Sequence, residues 1–127
     1  MTSKSREKIA IDPAREERID YEIVVDAYDE YERSEGWYAY LDDTLTFPFR
    51  AKVIQELGRS PLQNDEIVTV LNMANMEDCE SSMYVEVDWK GRTFAAPLEQ
   101  LYPIEGDEKT IEAVEDWHYW IGREYCF

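Results

Sequence analysis

Two adjacent aspartates, Asp42 and Asp43, sit in the stretch "WYAYLDDTLTFPF" (37–49), where a helical pattern runs out and a strand pattern begins. Carboxylates suit helix N-termini. The C-terminal end presents free carbonyls and partial negative charge, so an Asp-Asp pair there costs a few tenths to about 1 kcal/mol. A cation bound at the same place is drawn to both the carbonyls and the carboxylates, and it removes that cost. Ca2+ accepts roughly six to eight oxygens from carboxylates, carbonyls and waters in flexible geometry. Mg2+ demands near-octahedral geometry and keeps its waters, so Ca2+ is the better fit. The acidic loop "NMEDCESS" offers Glu77, Asp78 and Glu80 as further oxygens, provided that the fold brings it to the helix end. The EF-hand pattern does not occur, so any such site is of another type.

Other chemistries fail at the first step. His118 is the only histidine and lies in the aromatic "EDWHYW" of a helix, which reads as a packed or surface histidine. Zinc-ligand spacing, a nucleophile elbow and a phosphate-cradling glycine loop are all absent from the sequence. The expectation is a protein that is not an enzyme.

The elements that must position the acids follow from periodicity. Asp12-Pro13 is a helix start, with a capping oxygen followed by proline at the first helical position. Ile19, Tyr21, Ile23, Val24, Val25, Ala27, Tyr28 and Tyr31 supply an apolar face at helical spacing. Glu22, Asp26, Asp29 and Glu30 fall on an opposite stripe. Gly36 interrupts the run before Trp37, Tyr38 and Leu41 continue it. From Phe47 the period changes to two, with Phe47, Phe49, Ala51 and Val53 alternating with Arg50 and Lys52. Strands are expected over 66–73 and in a hairpin over 83–98 turning at Lys90-Gly91. A short helical turn and link in "PLEQLYPIE" then lead to a final helix over about 109–123, capped by Asp107. The order predicts an α+β domain over 13–127: a small antiparallel SH3-like barrel of four to five strands, flanked by an N-terminal helical segment and a C-terminal helix. Residues 1–12 are expected to form a mobile arm.

Charge bounds the partners. Twenty-nine Asp and Glu against 13 Lys and Arg give a formal net charge of −16 over 127 residues. Such a field repels nucleic acid and anionic lipid, and attracts cations and basic proteins. The alternative to a calcium protein is therefore an acidic module that docks a basic protein or mimics nucleic acid. The start of the chain lacks the apolar core of an export signal. Cytoplasmic location, reduced Cys79 and Cys126, and a monomer are the corresponding expectations. Cys79 reads as a small loop or core residue, and most of the four tryptophans and nine tyrosines as core.

Three stretches, "ERIDYEIVVDAYDEYERSEGWYAYLDDTLTFPFRAKVI", "VEVDWKGRTFAAPLEQL" and "AVEDWHYWIGREYCF", resemble the cyanobacterial calcium-binding protein family in the right order over about 17–127. The resemblance implies an acidic α+β protein that binds Ca2+ without EF-hands and buffers or sequesters it inside cells. It also implies an association with heterocyst differentiation. Asp42 and Asp43 stand in the matching junction and are carried over as ligands, with Asp29 and Glu35 as neighbours. Glu77, Asp78 and Glu80 occupy the matching acidic loop, while Asp116 and His118 are read as structural.

Overall fold

The computed structural model describes residues 9–125 and 127. Residues 1–8 of the expected arm, and Cys126, lie outside the described residues. Residues 9–12 are tied to the C-terminal helix: Ile9 N donates to the Gly122 carbonyl at 3.3 Å and Asp12 N to the Tyr119 hydroxyl at 3.0 Å.

Helix α1 (Pro13–Arg18) starts as expected, with the Asp12 carboxylate accepting from Arg15 N at 3.2 Å. It continues as one π turn over Ile19–Ile23 and then stops. The long amphipathic helix expected through Tyr31 is thus two helices with a connector between them. Asp26 turns the connector at φ 59, a conformation open to Asp through local hydrogen bonding of its short side chain. Helix α2 (Glu30–Thr44) then starts afresh, with the Asp29 carboxylate accepting from Glu32 N and the Glu32 carboxylate accepting from Tyr28 N, both at 2.8 Å. Of the expected apolar face, only Ile19 and Ile23 are buried; Tyr21, Val25, Tyr28 and Tyr31 are exposed. The supposed acidic stripe is likewise divided between the two helices and their connector.

Gly36 does not interrupt α2. It lies inside the helix, and a Cβ there would stand 2.4 Å from the Ile23 carbonyl oxygen. The missing side chain lets α2 lie against the end of the π turn.

Five antiparallel strands follow: β1 (Phe49–Val53), β2 (Ile67–Met73), β3 (Tyr84–Trp89), β4 (Arg92–Pro97) and β5 (Leu101–Pro103). Strand β1 begins at Phe49 rather than Phe47, since Pro48 has no N–H for a ladder. The alternation holds: Phe49, Ala51 and Val53 are buried, Arg50 and Lys52 exposed. Lys90 and Gly91, both at positive φ, make the expected two-residue hairpin turn. The link after the Leu98–Gln100 turn is a strand, β5, paired to β1. Sheet order is β4-β3-β2-β1-β5. The α+β class stands, but the sheet is open, since no ladder joins β4 to β5 among the described residues.

Helix α3 (Glu108–Gly122) is capped by Asp107, whose carboxylate accepts from Thr110 N at 2.8 Å. Trp37 of α2 packs edge-on against Trp117 and Trp120 of α3, with ring centroids 5.0 and 5.5 Å apart. The wholly buried Asp116 of α3 holds α1 in place. It accepts from Arg15 Nη1 and Arg18 Nη2 at 2.7 Å, Arg18 Nε at 3.0 Å and the Tyr40 hydroxyl at 2.9 Å. Breaking such a pair by removing one partner costs about 3–5 kcal/mol, because the other charge stays buried.

Candidate metal centre

The C-terminus of α2 is left open by its neighbours. Leu45 N closes the last helical bond onto the Leu41 carbonyl at 2.9 Å. Thr46 N, the next donor in line, turns instead to Thr110 Oγ1 at 2.9 Å, and Thr46 Oγ1 donates to Asp107 at 2.9 Å. The Asp42 carbonyl therefore loses its intrahelical donor. The Thr44 carbonyl loses its own for a simpler reason: position 48 is proline, which has no N–H. Asp42 and Asp43 are both exposed in this last turn. Two carboxylates thus stand beside carbonyls that carry the negative end of the helix dipole.

Successive helical residues point about 100° apart, and the pair faces two surroundings. Asp43 lines a cleft of ≈ 460 Å³ between α2, the end of α1 with its π turn, and the start of α3, together with Arg18, Glu22, Thr46, Asp107, Lys109 and Glu112. The Arg18 guanidinium in its wall is already held by Asp116, which raises its pKa further. Asp42 lies on the other side, near Tyr38. The Tyr38 hydroxyl donates to the Ala74 carbonyl at 2.6 Å, which docks α2 on the acidic loop. Burial, with the Asp42 charge and Cys79 alongside, holds the Tyr38 hydroxyl above its ordinary pKa.

Glu35 and Glu80 meet this same seam. The Glu35 carboxylate beside the Tyr31 hydroxyl raises its pKa, and Glu80 adds to the effect. So Glu35, Asp42 and Glu80 border the junction of α2 with the loop. Glu77 and Asp78 are exposed in the 3-10 turn Met76–Cys79 that packs on α2. Asp29 is set apart. It caps the far end of α2, and thirteen residues at 1.5 Å rise put it about 20 Å along the axis from Asp42, too far to share an ion. Among the described residues no three His, Cys, Asp or Glu side chains form a ready cage for a metal. The ion pairs among the described residues use other acids than these seven.

Glu22, Asp107 and Glu112 opposite Asp43 were not anticipated. Glu22 reaches the cleft through the reversal after Ile23, for which "DEYE" (29–32), an Asp followed three residues later by Glu, is the available signal, whereas Asp107 and Glu112 arrive with the start of α3. Cys79 is buried, which raises its thiol pKa. His118 is largely enclosed, and burial lowers its pKa against the pull of the Leu98 and Leu101 carbonyls.

The family model described as calcium binding, of the CcbP type, matches residues 17–121. The fold is similar to the crystal structure of Anabaena CcbP at 43% identity and TM-score 0.83, covering 94% of this chain and 98% of that one. It is similar also to a calcium-binding protein in its calcium-binding form, at 43% identity and TM-score 0.81, covering 91% and 95%. No curated protein matches significantly.

Proposed function

This chain belongs to the CcbP calcium-binding family, and from that premise we propose that it binds Ca2+ at the C-terminus of α2 and buffers it. The observation that carries the reading is the open helix end, where Asp42 and Asp43 flank carbonyls robbed of their donors by Thr110 and Pro48. An ion there would gain from the helix dipole and from carboxylates that form no ion pair among the described residues. Two places are proposed. One is the Asp43 cleft, where Glu22 and water would add oxygens. The other is the seam beside Asp42, where Glu35, Glu80, Glu77 and Asp78 would add theirs. Asp29 is assigned to capping instead. The chemistry required is binding alone, which agrees with a calcium-binding family rather than an enzyme family. A cytoplasmic buffer would need an affinity of ~10⁻⁷–10⁻⁵ M.

Calorimetric titration of the chelator-stripped protein, in ~0.1 M salt with Mg2+ present, tests the reading. Saturable Ca2+ binding in that range is expected. Changing Asp42→Asn and Asp43→Asn together should weaken the tightest site by more than ~10-fold, about 1.4 kcal/mol. An unchanged tight site would move the ion elsewhere in the protein. Weak heat abolished by Mg2+ would sink the reading altogether.

A further inference from the structure

The connector and the start of α2 display apolar surface that no other described residue covers. Of the ten large hydrophobic residues exposed among the described residues, four fall within 21–31: Tyr21 at 72%, Val25 at 51%, Tyr28 at 82% and Tyr31 at 61%. Single exposed apolar residues are ordinary, but a concentration of them marks an interaction surface. Beside Tyr31 lies a hollow of ≈ 550 Å³ between α2 and the end of the acidic loop, lined by Glu30, Ser34, Glu80, Ser81 and Phe127. Aromatic surface and carboxylates therefore share one groove.

The charge around it has one sign. Residues 20–35 carry seven acids, and their one base, Arg33, is engaged with the Phe127 carbonyl. Across the hollow stand Glu80 and Ser81 at the end of the acidic loop, which also carries Glu77 and Asp78 and has no Lys or Arg. A second copy of this chain would bring the same −16 to the same face and be repelled. A partner rich in Arg or Lys meets both parts of the chemistry, since a cation stacks on tyrosine faces and pairs with flanking carboxylates. We propose that Tyr31, Glu30 and Glu80 around the hollow, with Tyr28 exposed three residues ahead of Tyr31, form a docking surface for an arginine- or lysine-rich segment of a partner protein. The proposal stands apart from the Ca2+ reading, although Glu35 and Glu80 belong to both, so Ca2+ at the seam would compete with the partner.

The test is anisotropy of a fluorescein-labelled, arginine-rich peptide with interspersed leucines, titrated with the full chain at physiological salt in chelator. Tyr28→Ser with Tyr31→Ser leaves the net charge unchanged and should weaken binding ~5-fold or more. Asp65→Asn with Glu105→Gln removes two charges on exposed residues elsewhere on the surface and should change it less than ~2-fold. The tyrosines are exposed, so the circular dichroism and melting temperature of the double serine variant should stay those of the native chain. If binding follows net charge and ignores the tyrosines, the attraction is diffuse and the groove is overturned. Self-association lost in the serine variant, with no peptide binding, would assign the face to a second copy and equally overturn it. Since chelator excludes Ca2+, either result leaves the calcium reading to its own titration.

Discussion

At the scale of single residues, the structure separates two aspartates that the sequence presents as a pair. Asp43 faces the cleft with Glu22 and Glu112, whereas Asp42 faces the Tyr38 seam. The single variants should therefore behave differently. Asp43→Asn combined with Glu22→Gln should show no additivity if both ligate one ion, while Asp42→Asn should add to either. Titration calorimetry of the single variants and their pairwise combinations against the native chain decides it, because additivity holds for independent sites and fails for groups that share a partner. His118 gives a second prediction. Below its ordinary value of 6.5 the unfolded histidine takes up a proton, while the folded one resists it because burial lowers its pKa. Its neutral burial thus favours the folded state fully above that pH and loses ground as pH falls. His118→Gln should flatten the fall in melting temperature between neutral and mildly acidic pH. The acids were legible from type and position alone. Which way each points was not, because side-chain direction depends on where the neighbouring helices lie.

Helices and strands were legible wherever one period ran unbroken. The alternation of β1, the Lys90-Gly91 hairpin and the Asp107 cap all follow from local rules that the structure keeps. The N-terminal helix was misread because apolar residues at helical spacing usually mark a buried face. Here Tyr21, Val25, Tyr28 and Tyr31 keep that spacing across a break and remain outside. The break itself had a local signature in Asp29 and Glu32. Strand β5 was hidden because three residues are too short for any period to show. Gly36 is where the two helices depend on each other most closely. Gly36→Ala would force a Cβ to within 2.4 Å of the Ile23 carbonyl. It should destabilise the fold by about 1–3 kcal/mol, despite alanine's better helix propensity. Urea denaturation measures this, and a neutral or stabilising result would mean that the contact between the π turn and α2 is dispensable.

For the whole molecule, net charge sets the conditions of stability. A chain at −16 repels itself when folded, so added NaCl should raise its melting temperature by screening. Ca2+ should do more at far lower concentration. A site bound only in the folded state contributes about 2.7 kcal/mol when free ion is ~100 times Kd. For a domain of this size that corresponds to a rise of several degrees, on the order of 5–15 °C. Scanning calorimetry with Ca2+ against an equal concentration of Mg2+ separates site binding from screening, and equal shifts would remove the case for selectivity. The open sheet belongs to this scale too. Whether five strands close depends on curvature summed along the chain, with the extra residue of β2 near Leu71 among its causes, and no local pattern in the sequence states that sum.

The indole of Trp37 has an optical consequence. It is rooted on the same helix whose last turn carries Asp42 and Asp43, and it touches Trp117 and Trp120 across the helix interface. Indoles at 5.0–5.5 Å exchange excitation and share one emission envelope. A small tilt of α2 on loading its end with an ion would change their mutual angles, now 73° and 61°. The protein thus carries its own dye. Near-ultraviolet dichroism and tryptophan emission should follow Ca2+ occupancy without any label, and Trp37→Phe should weaken the change on binding while leaving the affinity in place.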